Sequence, residues 1–124
     1  MTFFFNYFLP HFAFSKISIY NNSMPLLSEF NYNVVQVYPM ENYDVAVYFV
    51  DGNIKKYNVS HLVGKGVFSV LEDKEFYKNN CTVLNHTLAW TLDGKYDPYN
   101  CLDIAPDTIY EKGIPIEDPL KEFA

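Results

Sequence analysis

Arginine does not occur in this chain, and all nine basic residues are lysines. A guanidinium is the side chain that grips phosphate, carboxylate or a guanine edge with two parallel hydrogen bonds, so the commonest clamp for those groups is missing. The formal charge of -6 adds to this, because general nucleic-acid affinity comes from counterion release by a basic surface. Nucleic acid is therefore not an expected partner. Cysteine is nearly absent too: Cys81 and Cys101 are the only two, and they form no short paired motif of the zinc or dithiol kind. The plain expectation is two thiols, since a bridge between them would need an oxidising compartment. The five glycines build no phosphate loop, and neither a nucleophile elbow nor a metalloprotease helix is written anywhere. No cofactor, metal or catalytic residue is assigned.

Long hydrophobic runs are also lacking. A membrane-spanning helix takes about 20 consecutive apolar residues. The aromatic stretch from Phe3 to Phe14 is shorter and is broken by Asn6, Pro10 and His11. With no lysine ahead of it and no small-residue cleavage pattern behind, it does not fit a signal peptide. A cytoplasmic protein without a membrane association is the expectation. Residues 1–23 carry neither a strand nor a helix period, and read as a translated upstream extension ahead of Met24 or as a poorly ordered aromatic tail. A tail that docks on a membrane surface or a partner is the competing reading, because six phenylalanines are a liability in water. Four Asn-x-Ser/Thr triplets, at Asn21, Asn58, Asn80 and Asn85, carry meaning only on a glycosylating pathway.

What the chain does have is aromatic bulk. Phe, Tyr and Trp make up 19% of its 124 residues, with a hydrophobic fraction of 49% and a charged fraction of 19%. Those values fit one globular domain with one core. Patterned sequence runs over 24–113 and predicts an α+β fold: a small antiparallel meander sheet of about five strands with two or three short helices packed on it. β-Branched and aromatic residues dominate Asn33–Met40 and Asn42–Val50, and Asp51-Gly52 follows as a hairpin dipeptide that tolerates positive φ at both central positions. The chain returns through Ile54, Tyr57 and Val59. Ser60 is the expected cap of a short helical segment ended by Gly64 and Gly66. Phe68, Leu71 and Phe76 lay an apolar face on the sheet, with Asp73 between them. A second strand pair, Cys81–Leu84 and His86–Leu92, brings Trp90 to the core. After a polar loop, Pro106 opens a last helix through Ile109 and Tyr110 to Gly113. Residues 114–124 read as an extended or loose acidic tail.

The order of these elements resembles the bacterial family called domain of unknown function 2442. The likeness spans Tyr32 to Glu111 and is carried by Asp51-Gly52, then Gly66-Val67-Phe68 with Leu71 and Asp73, then Phe76, Trp90, and Asp103-Ile104-Ala105-Pro106-Asp107-Thr108-Ile109-Tyr110-Glu111. The last element is its most specific part. A longer loop from Lys95 to Cys101 departs from the family pattern. The resemblance implies a small α+β domain encoded in bacteria, with no established activity or cofactor. Some relatives of that family carry a helix-turn-helix, and others resemble the antitoxin-like member of two-gene modules.

The carboxylates Asp93, Asp97, Asp103 and Asp107 form the one acidic cluster that invites a metal reading, but their spacing does not match an EF-hand. Asp103 and Asp107 are expected to cap or orient the final helix, since acids there accept orphan N–H groups and complement the dipole. The leading functional expectation is a non-catalytic protein-binding domain, joined to a basic protein partner through an open strand edge and steered by Asp107, Glu111, Glu117, Asp118 and Glu122. The alternative is an enzyme with a small site around Asp103, Asp107 and His86, with Trp90 beside it.

Overall fold

The structure is a computed structural model and describes residues 32–121. The expectations for the Phe3–Phe14 stretch and for a start at Met24 lie outside the described residues. Among the described residues the fold is α+β: seven strands in two antiparallel sheets, with two short α-helices and two 3-10 helices, Glu41–Tyr43 and Gly66–Glu72.

The first sheet grows from the β-branched runs. Strands β1 (Val34–Pro39), β2 (Asp44–Phe49) and β3 (Ile54–Asn58) form the expected meander. Its first turn, Glu41–Tyr43, places Asn42 at φ 62 and Tyr43 at φ 64, while the Asp44 N–H donates to the Glu41 carbonyl. Two successive left-handed residues give the reverse-twisted turn that suits a hairpin. The Asp51-Gly52 turn differs from expectation. Only Gly52 takes positive φ, at 93, and its N–H donates to the Phe49 carbonyl while Phe49 and Asn53 pair across the loop. This is a three-residue connection in which glycine relieves the left-handed position. A bulge between Val34 and Gln36 rephases β1 so that Val34 and Val37 both face the core.

From Ser60 the structure departs from the sequence expectation. There is no helix over 61–63; the chain makes successive turns, and the Asn58 Oδ1 accepts from both the N–H and the hydroxyl of Ser60. A 3-10 helix, Gly66–Glu72, then buries Leu71, and α1 (Lys74–Asn79) starts at Asp73. The Asp73 carboxylate accepts from the N–H groups of Glu75 and Phe76, the ordinary way a side chain satisfies a helix start.

The second sheet comprises β4 (Cys81–Leu84), β5 (Thr87–Thr91) and β6 (Cys101–Asp103), with β5 central. Asn85 and His86, both left-handed, turn β4 into β5. Helix α2 (Pro106–Lys112) follows, and β7 (Ile114–Pro115) adds to the outer edge of β3. The sequence expectation of one sheet of about five strands is thus corrected to two sheets. The two additional strands are three and two residues long, too short to carry a periodicity of their own. The tail after Gly113 is tied down as far as Leu120, because the Ile116 N–H donates to Ile54 and the Tyr48 hydroxyl donates to Asp118 at 2.6 Å.

One core joins both sheets. Val45, Val47 and Phe49 of β2 meet Leu88 and Trp90 of β5, with Leu71, Tyr77 and Ile109 closing it. Trp90 is wholly buried and its indole N–H donates to the Tyr77 carbonyl at 3.0 Å. The Tyr77 hydroxyl in turn reaches the carbonyls of Met40 and Asp44, so a single helix residue ties β5 to the first hairpin.

Candidate functional site

The residues singled out from sequence separate into three places. Asp51, Gly52 and Tyr110 come together: the Tyr110 hydroxyl donates to the Asp51 carboxylate at 2.7 Å, and Asn53 bonds both. That hydrogen bond to the Asp51 carboxylate is the main reason the Tyr110 phenol is held above its ordinary pKa. Its ring lies edge-on to Phe49 and Tyr32, under the Lys55 ammonium. Phe68, Leu71, Asp73 and Phe76 belong to the 3-10 helix and α1, and Trp90 to the core. Each of these places has a mechanical reading: a pin between hairpin and helix, a capped helix on the sheet, a central anchor.

Asp103 does not cap α2. The N-terminal flanking residue is Ala105, with no side-chain cap, and Pro106 opens the helix without a donor of its own. The Asp103 carboxylate instead accepts from the Asn85 amide at 3.4 Å. Asp107 lies in the first turn and accepts from the Thr108 N–H. The four residues of the enzyme alternative are not gathered. Trp90 is wholly buried, Asp103 points to Asn85, Asp107 turns to its own helix, and His86 is exposed at a hairpin tip. Among the described residues no group of three or more His, Cys, Asp or Glu is placed to hold a metal ion.

The thiols are likewise separate. Cys81 pairs across from Trp90 and Cys101 from Thr91, so they lie on opposite faces of the sheet with β5 between them. Two strand spacings put their backbones about 9.5 Å apart, beyond the reach of a disulfide. Burial pushes the Cys81 thiol up; burial, with Asp103 and Asp97 nearby, does the same for Cys101. Both favour the neutral, unreactive form.

The polar loop expected after the second strand pair forms a distinctive surface among the described residues. From Leu92 to Asn100 the chain leaves the core and returns, and it is bonded at nearly every step. The Asp93 carboxylate accepts from the Lys95 N–H at 2.9 Å and from the Asn100 amide at 3.2 Å. The first of these bonds is the main reason its pKa lies below the ordinary carboxylate value. The Tyr96 N–H donates to the Thr91 hydroxyl, the Tyr99 N–H to the Asp97 carboxylate, and the Asn85 amide to the Pro98 carbonyl at 3.0 Å. This framework holds Leu92, Tyr96 and Tyr99 outward at 41%, 42% and 97% exposure. The sequence signal was present in Asp93-Gly94 and Asp97-Pro98, where a carboxylate two residues ahead of an N–H closes a local turn.

The loop runs directly into β6, the outermost strand of its sheet. Leu92 and Leu88 bond to Asn100 and Ile104, and Trp90 pairs with Leu102. By antiparallel alternation the main-chain groups of Cys101 and Asp103 then point away from β5. Among the described residues no strand pairs with that edge. A braced aromatic loop and an open strand edge therefore form one continuous surface. Such a surface can bind through main-chain hydrogen bonds and aromatic anchors, but it holds no arrangement of acid, base and nucleophile.

No family model matches this chain, no curated protein matches it, and no solved structure matches it.

Proposed function

We propose that this chain is a partner-binding domain without catalytic activity, acting in the cytoplasm of a bacterium as a relative of the domain of unknown function 2442 family, in the manner of the antitoxin-like member of a two-gene module. The observation that carries the reading is Tyr99, 97% exposed at the crest of a hydrogen-bonded loop beside the open edge of β6. A large aromatic ring displayed in water is a liability for a solitary protein and an asset for one that binds, because a loop backbone already held by hydrogen bonds loses little conformational freedom on docking. The partner is a protein with a basic surface, drawn by the net charge of -6 and by Asp107, Glu111 and Glu117 on the exposed side of α2 and beyond. Nucleic acid is the less fitting partner for the same electrostatic reason. No helix among the described residues is long and apolar enough to cross a membrane.

Gentle affinity capture of the natively expressed chain, with its gene neighbour co-expressed, tests the proposal. A stoichiometric partner whose affinity falls by about 2 kcal/mol or more with Tyr99→Ala is the expected result. Recovery of the chain alone and monomeric would overturn it.

A further inference from the structure

The outer edge of β6 carries a row of main-chain groups with nothing bonded to them. Because Asn100 and Ile104 bond to β5 and Leu102 pairs with Trp90, the N–H and carbonyl groups of Cys101 and Asp103 point the other way, and none of them bonds to a described residue. A free row of this kind is a template for one more strand. It is short, because α2 opens at Pro106 on one side and the braced loop ends at Asn100 on the other. Tyr99 comes just before it, within about 7 Å of Cys101 along the backbone.

The two faces of β6 set the chemistry of what can fill the row. Cys101 and Asp103 lie opposite Thr91 and Ala89, so their side chains share the face away from the core, while Leu102 takes the core side. Two carboxylates stand at that outer face. Asp103 accepts from the Asn85 amide at 3.4 Å and Asp97 from the Tyr99 N–H at 2.9 Å, and neither makes an ion pair with a described residue. Burial first, then Asp103 and Asp97, push the Cys101 thiol up, as expected when both charges lie beside the edge. A second copy of the chain fits poorly. Two-fold pairing about Leu102 would bring the carboxylates of both copies to one face, on molecules that each carry a formal charge of -6. Cations on an incoming strand relieve the same repulsion.

Given a partner-binding role for this surface, on which this step rests, we propose that the occupant of the β6 edge is an extended segment of a basic protein, added antiparallel as a fourth strand. Its residues opposite Cys101 and Asp103 share their face and are lysine or arginine, and the residue between them, opposite Leu102, is apolar. Main-chain hydrogen bonds hold the segment, and Asp97 and Asp103 select it by charge.

The test is an amide NMR titration of the full chain with the acetylated and amidated peptide Val-Lys-Val-Lys-Val. Saturable downfield shifts of the Cys101 and Asp103 amide protons are expected. Val-Glu-Val-Glu-Val should bind about tenfold more weakly. So should the lysine peptide methylated on both lysine backbone nitrogens, which keeps its charge and loses its donors to β6. Asp103→Asn keeps the side-chain shape and an acceptor for Asn85, and should weaken the lysine peptide about threefold. Unsaturable shifts, or equal binding by the methylated peptide, would overturn the proposal. So would concentration-dependent shifts of the same amides without peptide, which would assign the edge to a second copy. Failure of the peptide beside a captured partner that Tyr99→Ala weakens would overturn the strand mode alone, whereas recovery of the chain alone and monomeric would overturn the reading beneath it.

Discussion

His86 shows how a single backbone angle can be tested apart from its side chain. It sits at φ 62 in the β4–β5 turn, a conformation that places the Cβ of any L-residue too close to the following carbonyl, and its side chain is exposed. Its carbonyl accepts from the Val34 N–H, a bond that glycine would keep. His86→Gly should therefore stabilise the protein by about 0.5–1 kcal/mol after the entropic cost of glycine is deducted. Urea unfolding checks this; a loss of stability would mean the imidazole makes a contact that outweighs the strain. The case of Tyr43 is different, because its hydroxyl donates to the Leu71 carbonyl and its ring meets Tyr77 edge-on. Glycine there would relieve the backbone and lose both contacts.

At the level of elements, the braced loop and the docked tail respond to opposite ends of the pH scale. The Asp93 carboxyl is held below its ordinary value of 3.8 by the Lys95 N–H, so the native state gives up that proton at lower pH than the unfolded chain. The contribution is complete above pH 3.8 and is lost as pH falls through the native value. An NMR titration of the Asp93 carboxyl carbon should show a midpoint under 3.8, and the Lys95 amide should follow it. A midpoint at or above that value would mean the loop is not braced as described. Tyr48 behaves in the reverse sense. Burial first, and the hydrogen bond to Asp118 second, raise its phenol far above the ordinary 10.0. The unfolded chain then ionises first, so the stability is whole below pH 10.0 and declines as pH rises beyond it. Tyr48→Phe should make the alkaline limb of the stability curve shallower, leaving the part due to the raised phenols of Tyr57, Tyr77 and Tyr110, and should cost about 1.5–3 kcal/mol at neutral pH for the lost hydrogen bond to Asp118. An unchanged limb would place the tail's attachment elsewhere.

Over the whole molecule, Trp90 is the joint. Its ring belongs to the core that both sheets share, and its N–H is bonded through Tyr77 to the first hairpin. Trp90→Ala should cost about 3–5 kcal/mol, a large part of the stability of a small domain. The wild-type chain should unfold in one transition by both tryptophan fluorescence and far-ultraviolet circular dichroism. Separate transitions would show that the two sheets do not share one cooperative core.

Much of this was legible in the residues themselves. The α+β class and the three-strand meander follow from alternation of Tyr43, Val45, Val47 and Phe49 and from the glycine at position 52, because strand period and turn chemistry are local properties. The Pro106 helix start is local for the same reason. The division into two sheets was not legible, nor were β6 and β7, since strands of three and two residues exist only through the neighbour they pair with. The bulge at Val35, the turn from Asp103 to Asn85 and the hydrogen bond from Tyr110 to Asp51 are contacts between distant positions, and no spacing along the chain encodes them. Sequence alone determined the charge, the want of arginine and the kinds of element the chain forms, because these depend on each residue and its near neighbours. Tertiary structure alone decided that Tyr99 stands outward while Tyr77 is buried, because exposure is set by what the rest of the chain covers.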